Sequence, residues 1–228
     1  AASDVYKRQA RNVVSALEFL LDLHLEELGL GAGRLKGFKR VVVIGGGLSA
    51  VDAAEESLLK GAREVYLVYR RTIKEAPAGE YEITRLSRMG VTWVELAAPK
   101  SVVVENGVAR GVVFQRMKLG EPDESGRPRP VPIPGSEFEV EADLVVAAIG
   151  ELPTPPMASE CGELGKYVGK DGRISVDRSY RIPGTNVFAA GDVVTGPSKI
   201  GNAVRQGLWA AKSVDRFLSM KILTPVAR

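Results

Sequence analysis

Cysteine is nearly absent from this chain of 228 residues: Cys161 stands alone. One cysteine excludes an internal disulfide, a CxxC redox pair within the chain and a self-contained iron–sulfur or cysteine-rich zinc site. Histidine is as scarce, with His24 the only one, and aromatics make up 6%. No apolar run is long enough to cross a bilayer, and no basic start leads into an apolar signal core. Charge of neither sign dominates, since 31 Lys and Arg face 28 Asp and Glu for a net +3. The basic residues do not interleave with aromatics on one face, so neither nucleic acid nor a membrane is expected as a partner. What remains is an ordinary globular balance, 45% apolar and 26% charged. The expected setting is reducing and cytoplasmic.

The first nine residues have no periodicity. Ser3-Asp4-Val5-Tyr6-Lys7-Arg8-Gln9 resembles translated sequencing-adaptor sequence, so residues 1–9 are expected to be a non-native or disordered tail on a chain truncated upstream. From Asn12 to Leu30 the residues Val13, Leu17, Leu20, Leu21 and Leu28 recur at helical spacing, which predicts a connecting helix within 10–38. His24 falls on the same stripe. A lone histidine on an apolar helix face is more often a packed residue than an acid–base group. Gly31 and Gly33 end the helix.

The most informative stretch follows. Val41-Val42-Val43-Ile44 is a short unbroken β-branched run, the pattern of a parallel strand covered on both faces. Gly45-Gly46-Gly47-Leu48-Ser49-Ala50 comes next, then a helix over Val51 to Lys60 closed by Gly61, then a strand from Glu64 to Tyr69. The order is strand, glycine turn, helix, strand. Gly45 permits the tight turn, Gly47 lets backbone approach a pyrophosphate, and Ala50 is small enough for the helix to pack on the sheet. The helix start offers free N–H groups and a positive dipole end to phosphate. The alternative is a glycine turn that binds nothing.

The tip of the second strand selects between cofactors. An acid there would hold the adenosine ribose of NADH, but the chain reads Tyr69-Arg70-Arg71. Two guanidiniums suit the 2′-phosphate of NADPH, with a solvated arginine pair as the plainer reading. Further on, a helix is predicted over Glu80–Met89, a strand over 91–94, and two strands, Ser101–Val104 and Val108–Met117, joined by the turn Glu105-Asn106-Gly107. Leu119 to Gly135 reads as an exposed loop. Leu144 to Ile149 is a buried strand ended by Gly150, with Ile149 and Gly150 expected at the cofactor.

Pro153, Pro155 and Pro156 then suggest a domain crossing. Ile174–Val176 and Val187–Ala190 read as short strands, the second running into Gly191-Asp192, a carboxylate placed to accept from ribose or polyol hydroxyls. A helix is predicted from Lys199 to Leu218, its apolar face Ala203, Val204, Leu208, Ala211, Val214 and Phe217. Gly201 lies in its first turn. Lys199 opposes the dipole there, consistent with a functional site or with a surface lysine.

Together these features resemble the FAD- and NAD(P)-dependent pyridine nucleotide oxidoreductase family, closest to the small (beta) subunit type of NADPH-dependent glutamate synthase. The resemblance runs from Val13 onward. It is carried by Ser15–Leu20, by Val41–Ala54 including Asp52, by Tyr69-Arg70-Arg71, by Gly120-Glu121-Pro122-Asp123 with Gly126-Arg127, by Ala142-Asp143 to Gly150, and by Asn186–Asp192.

It implies an α/β fold: a Rossmann-like NAD(P)-binding domain of three-layer βα architecture with a β-hairpin insertion over 39–150, and the carboxyl-terminal part of a second, FAD-binding Rossmann-like domain over 151–228. It further implies that Asp192 holds the ribityl chain of FAD and that Ser198 to Ala203, including Lys199, Ile200, Gly201 and Ala203, lies against the flavin. Hydride would pass from NADPH to FAD and electrons onward to a partner subunit or iron–sulfur protein, so no classical catalytic side chain is nominated. The family's own FAD glycine turn lies upstream of these features and is not in this sequence. Thioredoxin-reductase-like chemistry needs the CxxC that this chain lacks. The remaining rival is a non-catalytic NADP(H)-binding or sensing module.

Overall fold

The computed structural model describes residues 10–31, 33–123, 126–150 and 162–223, with side chains as far as residue 220. The chain divides into two compact units, 1–151 and 152–228.

In the first unit five parallel strands form one sheet in the order β1 (Val13–Ser15), β8 (Leu144–Ala147), β2 (Arg40–Ile44), β3 (Glu64–Val68) and β4 (Thr92–Val94). The central strand β2 pairs Val43 with Val146 on one side and with Leu67 on the other. Side chains alternate across a strand. Val41 and Val43 therefore point to helices α1 (Ala16–Glu27), α2 (Leu48–Leu59) and α3 (Glu80–Met89), packing with Phe19, Leu23, Ala53 and Leu86. Val42 and Ile44 point the other way, onto Ala97, Val102, Val112 and Phe114 of a second sheet. Burial on both faces is why β2 reads as an unbroken apolar run, and each such valine contributes roughly 1.5–3 kcal/mol.

That second sheet is antiparallel, in the order β5 (Ala97–Glu105), β6 (Val108–Pro122), β7 (Pro128–Glu141). The β5–β6 turn has Asn106 at φ 52° and Gly107 at φ 73°, as the Asn-Gly pair predicts. The insertion is larger than a hairpin, however. Most of 119–135, expected as a loop, belongs to β6 and β7, with Leu119 facing Pro130 and Met117 facing Pro132. Prolines concealed this strand. They are tolerated because β7 is the outer strand of its sheet, where a missing N–H need not break a ladder.

The segment before β2 also differs from expectation. The connector predicted over 10–38 begins as a strand, with Val13 and Val14 paired to Val145 and Val146. Helix α1 starts only at Ala16, capped by Ser15, whose Oγ accepts from the Glu18 N–H at 3.1 Å. Its buried face is Ala16, Phe19 and Leu23, while Leu17, Leu21 and Leu28 of the predicted stripe are 62%, 54% and 66% exposed. The helix is apolar on more than one side, so spacing alone cannot phase it. His24 faces solvent, with Glu27 3.8 Å away. Helix α2 packs through Ala50, Ala53 and Ala54, which are fully buried, but Leu59 turns outward.

The second unit contains a 3-10 turn (Gly162–Tyr167), the short helix α4 (Asp192–Thr195) and the long helix α5 (Ile200–Leu223). The two segments predicted as strands form isolated bridges among the described residues, Val168 to Ile174 and Arg181 to Phe188, because each finds one bridging partner and no ladder. The predicted apolar face of α5 also splits. Gln206 and Ala210 are buried and Ala203, Val214 and Phe217 half-buried, whereas Val204, Leu208 and Ala211 are exposed. Phe217 packs edge-on to Phe188 at 5.7 Å, and the Arg181 guanidinium lies 4.3 Å over its ring. Cys161 and Pro153, Pro155 and Pro156, expected at a domain crossing, lie outside the described residues. No helix among the described residues is long and apolar enough to cross a membrane.

Candidate functional site

A parallel sheet presents its ligand crevice at the carboxyl ends of its strands, where successive connections leave in opposite directions. That point lies between β2 and β8. There the Ala148 N–H donates to Ile44 O at 2.8 Å and the Gly45 N–H donates to Val68 O at 2.9 Å, so the glycine turn is held between two neighbouring strands. A methyl group on Gly45, at φ +152°, would overlap the Ala148 carbonyl. One on Gly46 would come within 2.7 Å of the Tyr69 ring.

Gly47 differs from both. A methyl there would meet nothing within 4 Å. Gly47 is the N-cap of α2, without a side-chain cap and with no acid in the first turn. Its carbonyl accepts from Ala50 and Val51, but among the described residues the N–H groups of Gly47, Leu48 and Ser49 have no acceptor. Ser49 and Leu48 face solvent, and Ala50 packs inward. The turn thus combines unsatisfied donors, a positive dipole end and open space, a set of features that fits a pyrophosphate. Ile149 and Gly150 follow β8 beyond Ala148, and both are exposed.

The arginine pair after β3 is divided. Arg70 is exposed and no ion pair is described for it. Arg71 is 2% exposed, donating from Nε to Pro128 O at 2.7 Å and from Nη2 to Asp123 Oδ2 at 2.6 Å. The two guanidiniums thus differ in their surroundings: Arg71 is bonded within its own protein, and Arg70 carries the outward charge. Lys74 is the next exposed cation along the chain, on a 3-10 turn whose Thr72 and Glu75 cap each other.

One turn into α2, Asp52 sits near Glu55 and Glu82. Partial desolvation, then those two carboxylates, hold its carboxyl above the usual range despite Arg85. Arg85 grips both oxygens of Glu55 at 2.6 Å, and this hydrogen bonding holds Glu55 below its ordinary value. A carboxyl raised on folding loses its proton first in the unfolded chain, so its penalty grows as pH rises past about 4. Asp52→Asn should therefore stabilise the protein at neutral pH by about a few tenths of a kcal/mol, solvent screening keeping it small. The gain should vanish by about pH 3, where both states are protonated; urea melts at pH 7 and pH 3 check this.

Two residues at the opposite end of the strands, Asn12 and Asp143, had no role assigned from the sequence. Asn12 is buried, donating to Ala109 O at 2.9 Å and Asp143 O at 2.7 Å and accepting from the Ala109 N–H at 2.6 Å. Asp143 accepts the N–H groups of Lys39 and Arg40, both at 2.9 Å, fixing the start of β2. Neither announces itself, since each acts on backbone far away in the chain.

In the second unit the Gly191 N–H donates to the buried Gln206 Oε1 at 2.9 Å, a partner hidden in the sequence as one polar residue of α5. Asp192 is exposed, one oxygen accepting from Ser198 Oγ at 3.0 Å. Lys199, Ile200 and Gly201 are exposed and Ala203 is half-buried. Among the described residues no three His, Cys, Asp or Glu side chains gather to hold a metal.

A parallel sheet with a glycine turn at its switch point, helices on one face and an antiparallel sheet on the other defines an α/β fold of the dinucleotide-binding class. Residues 7–207 match the Pyridine nucleotide-disulphide oxidoreductase family, and the chain belongs to it. It is 41% identical over 215 residues to the NADP(+)-dependent formate dehydrogenase subunit beta of Moorella thermoacetica, covering 93% of this chain and 29% of that protein. It is 36% identical over 225 residues to the Glutamate synthase [NADPH] small chain of Azospirillum brasilense, covering 95% and 46%. The chain thus spans less than half the length of either relative. Its fold matches FprA, a Mycobacterium tuberculosis oxidoreductase, at a TM-score of 0.66 and 18% identity over 90% of this chain and 58% of that one.

Proposed function

We propose that this chain carries the NADPH-binding domain, over 39–150, and the carboxyl-terminal part of the FAD-binding domain, over 151–228, of an NADPH-dependent flavoprotein oxidoreductase of the glutamate synthase small-subunit type. When bound, NADPH supplies a hydride and FAD accepts it, for onward transfer to a partner subunit or iron–sulfur protein. The observation that carries this reading is the open, uncapped start of α2 at Gly47, together with the exposed Arg70 that follows β3. The names of the two relatives, one a subunit beta that is NADP(+)-dependent and the other a small chain marked NADPH, support the same cofactor and a partner subunit.

The residues of the chain divide the work by chemistry. The N–H groups of Gly47, Leu48 and Ser49 receive the pyrophosphate, and Arg70 receives the 2′-phosphate through paired charge-assisted bonds. Ile149 and Gly150 border the same crevice. In the second unit Asp192 has acceptor capacity beyond its bond from Ser198, which fits a ribityl hydroxyl of FAD.

Titration calorimetry of the chain with NADPH and NADH tests the reading. NADPH should bind more tightly. Arg70→Ala should weaken NADPH about 10- to 100-fold and leave NADH unchanged, the scale of a lost charge-assisted pair. A folded chain that binds neither nucleotide, or prefers NADH, would overturn it. One observation favours the sensing-module reading: all strand pairings of the nucleotide sheet lie within the first unit. Retention of FAD by the full-length protein separates the two, because a sensor has no need of it.

A further inference from the structure

Among the described residues, Arg71 is the one charged side chain in the set of largest fully buried groups. Its partners lie 52 and 57 residues away, at the far tip of the β6–β7 ribbon. There the Asp123 N–H donates to Arg127 O and the Gly126 N–H donates to Asp123 O, both at 2.8 Å. The last rung of the ribbon pairs Pro122 with Pro128. The ribbon therefore reaches past the body of its sheet to the carboxyl end of β3 and is fastened there by a guanidinium.

The backbone around Arg70 is fixed from the other side as well. The Tyr69 N–H donates to Val94 O at 2.9 Å, the Ala97 N–H to Tyr69 O at 3.0 Å, and the Leu96 N–H to Arg71 O at 3.1 Å. The Tyr69 ring lies under Gly46, and its hydroxyl donates to Glu75 O at 3.2 Å. Both neighbours of Arg70 are thus locked while Arg70 itself points to solvent. A buried guanidinium without a carboxylate is strongly unfavourable, so the Arg71–Asp123 pair cannot be opened cheaply.

We propose that Arg71, Asp123 and the Pro128 carbonyl form a buried clamp that positions Arg70, so that the β6–β7 tip sets the preference for a 2′-phosphorylated nucleotide. Asp123 is a positioning residue: it touches no ligand and acts through Arg71 on the backbone that carries Arg70. The role of Arg70 at the 2′-phosphate rests on the function proposed above. Preorganising that cation lowers the ordering cost of each bond it makes to the phosphate.

The test is a double-mutant cycle read as the ratio of NADPH to NADH affinity, using this chain and calorimetry. Asp123→Asn is isosteric and removes the charge. It should weaken NADPH about five- to tenfold, a coupling typical of residues in one network, with NADH changed less than about twofold. In an Arg70→Ala background the same substitution should leave the ratio unchanged. Arg71→Lys keeps a charge but cannot bridge both acceptors; it should behave alike and carries the comparison alone if the first variant does not fold.

Tighter NADPH binding by Asp123→Asn would mean that Arg71 is itself a phosphate ligand restrained by the carboxylate, and would overturn the clamp. Equal losses for both nucleotides, or an undiminished effect in the Arg70→Ala background, would overturn it too. If Arg70→Ala alone leaves NADPH affinity intact, the proposed site falls with it. If that variant weakens NADPH while Asp123→Asn does nothing, only the clamp falls.

Discussion

Gly45→Ala should destabilise the first unit by about 2–6 kcal/mol, a large share of the roughly 5–15 kcal/mol that holds a domain together. Two costs add. The backbone at φ +152° is one that side chains rarely adopt, and the new methyl would overlap the Ala148 carbonyl where β2 and β8 meet. Neither can relax without separating strands whose ends are tied by the Ala148–Ile44 bond. Gly47→Ala, two residues on, should behave in the opposite way. At φ −93° the backbone is ordinary and the methyl enters open space, so the fold should lose no more than about 1 kcal/mol.

What Gly47→Ala should lose is the nucleotide, because the methyl projects where a phosphate would approach the N–H groups. NADPH and NADH share the pyrophosphate, so both should weaken by about tenfold or more, the worth of one or two charge-assisted bonds. That pattern differs from Arg70→Ala, which should discriminate between them. Denaturant melts and titrations of the three variants separate a structural glycine from a binding one. A Gly47→Ala variant that binds both nucleotides normally would sink the placement of the pyrophosphate.

The glycine turn was legible in the sequence because its requirements are local: a buried strand, a backbone with no room for side chains, a helix start. The same holds for β2 and for the Asn106-Gly107 turn, where each residue reports on its own φ. Strand β1 was not legible. Val13, Val14 and Ser15 are too few to show a period of two, and they run without a break into a helix whose apolar residues fit their spacing. Strand β7 was hidden by Pro130 and Pro132, which argue against a strand unless its edge position is known.

The division of labour between Arg70 and Arg71 is a further step removed. Adjacent identical residues acquire different roles only because Asp123 and Pro128 arrive from another sheet. Sequence reasoning finds what a residue does to its neighbours in the chain. It fails where one side chain joins elements that only the fold brings together.

Asn12 is the extreme of that class, and Asn12→Asp should be among the most damaging single-atom exchanges in the protein. The amide nitrogen donates to Ala109 O and Asp143 O, residues 97 and 131 positions away, so it ties the entry of β1 to β6 and to the approach of β8. Replacing that nitrogen with oxygen turns two attractions into repulsions between a buried carboxylate and two carbonyls. The expected loss is about 3–5 kcal/mol at pH 7, the scale of an unpaired buried charge. Its pH dependence identifies the cause. Burial among acceptors raises the introduced carboxyl in the folded state, so the unfolded chain releases its proton first and the deficit grows as pH rises above about 4. Toward pH 4 the protonated group can again donate one bond, and the gap to the parent protein should narrow. Paired urea melts at pH 7 and pH 4.5 give the result. A deficit that stayed constant across that range would mean the damage comes from shape and not from charge, and that the two carbonyls do not face the side chain of residue 12.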